Sequence, residues 1–418
     1  MATLKDWVEG IRLRTLPASL SPVIIGAGIA AAMEEFSWAR TLLALAVAVF
    51  LQIAANLSND YSDGVRGTDD FREGPPRLTG GHKVEAKTVL LVAIAFYALS
   101  CIAGLILVWL SGHWWLLLLG VASVLAAWFY TGGKHPYGYT SLSELFVLIF
   151  FGYGATVGTV YVQTDEAPVV SWILATGVGF VACALLMVNN IRDIPTDEQA
   201  GKKTLAVRIG QNKARWSYYV LMALAVVLAS SVYLWNFGIF VGMLAMLVWV
   251  VFIARPVISG ATGKDLLPAL RNTAIFELVY AVLIAAGLSL NHYYPSDKWA
   301  TAGWIITAGV WIIWLVVEVV FGMIRSRQHK DQDAEQLSAQ ASQLDSEQAG
   351  QLEQHEQPGQ PDSEQPDQPA QEAPDQEKSA EEKPASEAPA HDCAYGSDCA
   401  NSEASSADEE KNNDLGLA

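Results

Sequence analysis

Residues 56–70 read NLSNDYSDGVRGTDD, and residues 189–210 read NNIRDIPTDEQAGKKTLAVRIG. In the first stretch Asn56, Asn59, Asp60 and Asp63 are spaced three and four apart, and in the second Asn189, Asp193 and Asp197 recur every fourth residue. On a helix such positions share a face. Each stretch can therefore present carboxylate and amide oxygens together. Oxygen ligands suit hard cations such as Mg²⁺, which are commonly shared between protein carboxylates and a phosphate. Carboxylates alone repel phosphate, so a bridging cation is required. The same stretches and their flanks supply bases: Arg66, Arg72, Arg77 and Lys83 beside the first, Arg192, Lys202, Lys203 and Arg208 beside the second. Acid to hold a metal, interleaved with base to hold the remaining phosphate oxygens, is the chemistry of a metal–diphosphate complex. Solvated loops would explain either stretch taken singly; two similar clusters make the functional reading the better one.

The elements that must position these residues are apolar. Ten runs approach the roughly 20 residues a helix needs to span a bilayer: 15–33, 39–57, 88–110, 114–130, 142–162, 169–189, 216–235, 237–253, 272–290 and 300–324. The first polar cluster ends the second run and the second ends the sixth, where Pro195 predicts a bend or a helix end. Four crossings separate the clusters, so both open on one side. That side collects 21 of the Lys and Arg residues of the first 330, and the other only Arg40 and Lys298, a bias that marks it as cytoplasmic. Both termini and the loops carrying the clusters are thus expected in the cytoplasm, and the chain in the cell membrane as a multi-pass protein.

The ends of the chain differ from its middle. Residues 1–14 lack a cleavable-signal pattern, and Leu4, Trp7, Val8 and Ile11 form the face of an interfacial helix. Residues 331–418 carry 23 acids against three lysines; so few apolar residues predict a disordered acidic tail over 329–418. The chain's net charge of −17 belongs to that tail. Cys101 and Cys183 lie in apolar runs, where they pack as small soft side chains, and Cys393 and Cys399 lie in the tail. Nothing suggests a nucleic acid partner, and no protein partner is legible.

NDYSD (59–63) resembles the start of the NDxxDxxxD motif of the UbiA superfamily of membrane aromatic prenyltransferases, and DIPTD (193–197) resembles its DxxxD motif. The finer resemblance is to the MenA type, the 1,4-dihydroxy-2-naphthoate polyprenyltransferases. It is carried by RTLPASLSPVIIG (14–26), NDYSDGVRGTDD (59–70), YTGG (130–133), ELFVLIFFG (144–152) and the whole of 189–210. Gly67 stands where the general motif has its last Asp, which leaves open whether Asp69 completes the cluster. The resemblance covers 14–210, with a helical pattern that fits to about 290. A further helix within 291–328 and the tail lie beyond it.

The resemblance implies an all-α integral membrane bundle of nine to ten transmembrane helices, with the prenyltransferase domain over 15–290 and a central cavity open to the cytoplasmic side. It implies transfer of a polyprenyl chain from its diphosphate to dihydroxynaphthoate, with loss of CO₂ and diphosphate, giving demethylmenaquinone. On this reading two Mg²⁺ ions are held by Asn59, Asp60, Asp63, Asp193 and Asp197. Lys202, Lys203, Arg208, Arg66 and Arg72 hold the diphosphate, and Arg14, Lys134 and Tyr130 the acceptor. Tyr61, Trp128, Phe129, Phe150 and Tyr153 are further aromatic candidates to face an allylic cation, although packing or membrane-belt duties explain any one of them better. The partners are the two substrates and membrane lipid. Rival readings are another acceptor, 4-hydroxybenzoate or homogentisate, and a secondary transporter, whose acids would sit near the bilayer midplane instead of at helix ends.

Overall fold

A computed structural model describes residues 3–68, 77–234 and 237–293. Asp69, Arg72, the run 300–324, the tail and Cys393 and Cys399 lie outside the described residues. The described residues are helical, with no strand among them. Helix α1 (Leu4–Ile11) starts at a capping box in which Thr3 and Asp6 satisfy each other's backbone N–H. Helix α2 (Leu16–Ala32) has proline in its first turn, where the missing N–H costs nothing. The long helices α3 (Trp38–Arg66) and α4 (Ala86–Ser111) each end on a left-handed glycine, Gly67 and Gly112. Helix α5 (Leu116–Phe129) is shorter.

A single span, Ser143–Thr164, combines α6 (Ser143–Val147), a π-helical turn at Leu148–Gly154 and α7 (Ala155–Thr164). Then follow α8 (Val169–Gln199), α9 (Leu205–Ile209), α10 (Gln211–Ser231), α11 (Phe237–Leu244), α12 (Met246–Ile258) and α13 (Leu267–Tyr293). Among the described residues eight spans are long and apolar enough to cross a membrane, and α5 is a shorter apolar helix. Together they correspond to the first nine runs of the sequence, and the chain is a multi-pass membrane protein.

Two boundaries differ from expectation, and both bear on the site. Helix α3 continues to Arg66 and α8 to Gln199, beyond the apolar runs that end at 57 and 189, so both polar clusters lie on helix, on the faces their spacing predicts. Pro195 sits inside α8 without ending it; a proline removes one backbone bond, and a long buried helix tolerates that loss.

The main core lies among α2, α8, α10, α12 and α13, with Val178, Val181, Met222, Phe276 and Tyr280 fully buried. Buried tyrosines tie these helices to one another: the Tyr280 hydroxyl donates to the Ala225 carbonyl (2.8 Å) and that of Tyr233 to Ile284 (2.8 Å). A Cβ on Gly28 would lie 2.6 Å from the Ala285 backbone, so α2 and α13 touch backbone to backbone, as small residues allow between membrane helices. Outward-facing Leu91, Ile102, Trp109 and Leu118 are exposed, the pattern expected where lipid is the solvent.

Helix α1 does more than lie on a surface. Trp7 and Ile11 pack against the cluster of Leu57, Leu78 and Val89, while Leu4 remains 82% exposed.

Candidate active site

A cavity of about 970 Å³ runs through the bundle. Its walls change character along its length. At one end stand Arg12, Asn59, Asp60, Arg77, Asn189 and Arg192; deeper in, the lining is apolar, with Leu51, Val108, Leu116, Leu119, Gly158 and Val162. One compartment thus offers a polar mouth and a hydrocarbon-like interior.

In the first cluster the acids do different work. Asp60 is fully buried, and its two oxygens accept the backbone N–H groups of Leu78 (2.9 Å) and Thr79 (2.8 Å). It anchors the turn after the 69–76 stretch. That turn brings Arg77 to the cavity and to Asp63, with Nη2 3.6 Å from a carboxylate oxygen. Asp63 also accepts the Tyr139 hydroxyl at 2.5 Å. Asn59 accepts from the Thr131 hydroxyl (2.6 Å). Asn56 is a brace: its amide donates to the Ile11 carbonyl and the Thr15 hydroxyl, both at 2.9 Å. Arg66 is exposed and donates to the carbonyls of Thr131 and Gly133, which places it as a tie to the α5–α6 connector.

In the second cluster Arg192 grips Asp193 through two parallel bonds of 2.6 and 2.5 Å. Lys202 stands 3.8 Å from Asp197. Lys203 and Arg208 are exposed; the former is held by its backbone N–H on the Tyr139 carbonyl (2.8 Å), the latter by Ser141 Oγ (3.0 Å). The two clusters meet at Tyr139. Its hydroxyl is on Asp63 and its carbonyl on Lys203, and the Lys202 ammonium sits 4.6 Å from its ring centre. Burial and the Asp63 charge push the Tyr139 phenol up to about 12.

Tyr139 escaped the reading of the sequence, since nothing in GGKHPYGY distinguishes it from a membrane-belt tyrosine. Arg12 and the cavity positions of Arg77 and Arg192 escaped also; as loop and helix-end cations they looked like ordinary positive-inside charge. Arg12 has φ 58° and ψ 61°, a left-handed conformation that costs a residue with a Cβ about 1–2 kcal/mol.

Among the acceptor candidates, Arg14 and Tyr130 line the cavity, whereas Lys134 lies exposed in the turn beyond α5 and is not part of the lining. An aromatic wall runs Tyr130, Tyr137, Phe146, Phe150, with ring centres 5.5, 4.1 and 6.1 Å apart in turn. Of the aromatic candidates only Tyr130 and Phe150 line the cavity. Tyr61 packs in the α1–α3–α4 cluster, Tyr153 pairs with Thr176, and Phe129 faces outward.

Among the described residues no three His, Cys, Asp or Glu side chains gather closely enough to hold a metal by themselves. The donors present are oxygens: Asn59 and Asp63 on one side, Asp193 and Asp197 on the other. Mg²⁺ suits this arrangement, because it is usually bound by one or two carboxylates, with water and substrate phosphate completing its octahedron. The bases beside these acids, Arg77, Arg192 and Lys202, supply the positive charge a phosphate would need.

Residues 19–266 match the model of the UbiA prenyltransferase family. The chain is 44% identical over 291 residues to a 1,4-dihydroxy-2-naphthoate octaprenyltransferase of Mycobacterium tuberculosis, covering 70% of this chain and 99% of that protein. It is 34% identical over 300 residues to the Escherichia coli protein of the same description, covering 69% and 96%. Among solved structures, a UbiA homologue from Archaeoglobus fulgidus bound to DMAPP and Mg²⁺ superposes with a TM-score of 0.52 at 17% identity, covering 68% of this chain and 99% of that one. The bundle has the same fold as that homologue.

Proposed function

The chain belongs to the UbiA prenyltransferase family, and we propose that it transfers a polyprenyl chain from polyprenyl diphosphate to 1,4-dihydroxy-2-naphthoate, with loss of CO₂ and diphosphate, as a step of menaquinone biosynthesis. The observation that carries this is the meeting of two acid–base clusters at Tyr139, with Arg77 and Arg192, the partners of Asp63 and Asp193, lining the polar end of an apolar cavity. A prenyl tail gains about 0.8 kcal/mol per CH₂ removed from water, so the apolar interior suits the chain and the polar mouth its diphosphate.

Two Mg²⁺ ions are proposed, one beside Asn59 and Asp63, the other beside Asp193 and Asp197. Bound there they would supply Lewis-acid stabilisation of the charge that grows on the departing diphosphate. The protein's own groups do the rest. Arg77, Arg192 and Lys202, each already beside a carboxylate, are placed to take diphosphate oxygens, with Lys203 and Arg208 at the rim. Preset cations of this kind favour the transition state over the ground state. Asp60 keeps the turn in place beneath Arg77. Tyr130, Tyr137, Phe146 and Phe150 offer π faces to the allylic cation and exclude water from it. Arg14 and Tyr130 border the space left for the acceptor. The cell membrane is the proposed location, the mouth on the cytoplasmic side by the Lys/Arg bias, with 15–290 as the catalytic domain.

The test is to offer purified protein a prenyl diphosphate with dihydroxynaphthoate, 4-hydroxybenzoate or homogentisate in turn, and to follow diphosphate release. The proposal expects release with the naphthoate and Mg²⁺ together, and none when either is omitted. Preference for another acceptor would move the protein within its family, and no release with any of them would remove the enzymatic reading.

A further inference from the structure

Two anions must enter one cavity, the diphosphate and the carboxylate of the aromatic acceptor. The bases of the two clusters face carboxylates: Arg77 on Asp63, Arg192 on Asp193, Lys202 on Asp197. A second cationic group lines the cavity from another element, the junction of α1 and α2, where Arg12 and Arg14 stand. We propose that Arg12 is the residue that binds the acceptor carboxylate, at an anion site built by the end of α1 and separate from that of the diphosphate. The assignment rests on the reading above and gives its acceptor a specificity residue.

The backbone of Arg12 is the first argument. It is left-handed, with φ 58°, where glycine would be strain-free. Such strain persists only when the surroundings over-determine it, and it collects at functional positions. The surroundings of Arg12 do over-determine it. Asn56 on α3 holds the Ile11 carbonyl on one side and the Thr15 hydroxyl on the other. Thr15 in turn donates from both backbone N–H (2.8 Å) and hydroxyl (2.9 Å) to the Arg12 carbonyl. Gln52 adds a bond to Thr15 (3.3 Å). Further back, Asp6 pairs with Lys83, and Gly10 sits so close to Leu78 that a Cβ would lie 2.5 Å from it. Helix α1 is thereby bolted to α3 and to the turn that Asp60 anchors, and its last residue is pinned.

The second argument is what Arg12 faces. It lines the cavity with Tyr130 and Tyr137. A planar guanidinium can meet a carboxylate with two parallel bonds. A ring held by its carboxylate in this way would lie along the aromatic wall, with its direction set. Lysine, a point charge on a flexible stem, would fix no plane.

The experiment compares wild type, Arg12→Gly and Arg12→Lys in the full-length protein in detergent. Arg12→Gly relieves the left-handed strain, so its thermal midpoint should equal or exceed that of wild type. Its KM for dihydroxynaphthoate should rise at least about tenfold, with KM for prenyl diphosphate and the Mg²⁺ requirement unchanged. Arg12→Lys should fall between the two. Equilibrium binding of dihydroxynaphthoate without prenyl diphosphate should weaken in parallel, while 1,4-dihydroxynaphthalene, which lacks the carboxylate, should bind wild type and Arg12→Gly equally. An unchanged acceptor KM, a rise in the prenyl diphosphate KM instead, or equal weakening for both naphthalenes would overturn the assignment. Wild type that neither binds nor uses dihydroxynaphthoate would overturn the proposed acceptor, and the assignment with it.

Discussion

Asp60 and Asp63 stand almost one turn apart on α3, and their surroundings divide their work. Asp60 is saturated by two backbone N–H groups, whereas Asp63 faces the cation of Arg77, which lines the cavity, and the Tyr139 phenol. Asp60→Asn can accept only one of those N–H bonds; a buried N–H left unmade costs about 1–3 kcal/mol. The expected result is a lower thermal midpoint with little change in the Mg²⁺ concentration for half-maximal rate. Asp63→Asn should instead raise that Mg²⁺ concentration and lower kcat by about 10²–10³-fold, the scale of losing a preset electrostatic contact. Tyr139 makes a pH prediction. Its phenol titrates near 10 when unfolded and near 12 in the fold, so its stabilising contribution is complete below pH 10 and is lost as pH rises to about 12. Thermal midpoints taken across that window should fall less steeply for Tyr139→Phe than for wild type. The acids themselves were legible in the sequence because helical spacing put them on one face. The division of labour was not, since Leu78, Thr79 and Tyr139 reach Asp60 and Asp63 from 15 or more residues away in the chain, and spacing carries no information on such pairs.

At the level of elements, the apolar runs were read well because membrane length and hydropathy are strong signals. Helix ends were read less well. Helix α3 runs past its apolar run because Asn56, Asn59, Asp60 and Asp63 find partners within the bundle, so polar residues there do not mark a loop. Pro195 failed to stop α8 for a related reason: the helix is already held by its neighbours. The π-helical turn at 148–154 carries no signal in its apolar sequence, LIFFGYG. Its Gly152 packs on α8 so closely that a Cβ would lie 2.8 Å from the Ala175 carbonyl oxygen and 3.2 Å from the Gly179 Cα. Gly152→Ala must push the turn away from α8, at about 1–3 kcal/mol. Because the same turn carries Phe150 and Phe151 into the cavity, the variant should lose both thermal stability and prenyl-transfer rate. A rate unchanged alongside a lowered midpoint would detach the π turn from the chemistry.

Over the whole molecule, one cavity joins a charged mouth to an apolar interior, and its depth should limit the prenyl chain. Gly158 lines the apolar part of the cavity on α7, and among the described residues only Leu119 comes near its missing Cβ, at 3.9 Å. Gly158→Phe should therefore fold, accept short prenyl diphosphates at near wild-type rates and lose activity on long ones, as a series of donors of increasing length would reveal. The central claim is that prenyl diphosphate and dihydroxynaphthoate react within this compartment. The most direct measurement is the mass of the lipid formed by purified protein from mixed prenyl diphosphates, dihydroxynaphthoate and Mg²⁺. The account predicts a prenylated naphthoquinol, or the quinone it oxidises to, whose mass lacks the acceptor's carboxyl group, with no such lipid when Mg²⁺ is withheld. A product that retains the carboxyl group, or the same product formed at full rate without a divalent cation, would contradict it.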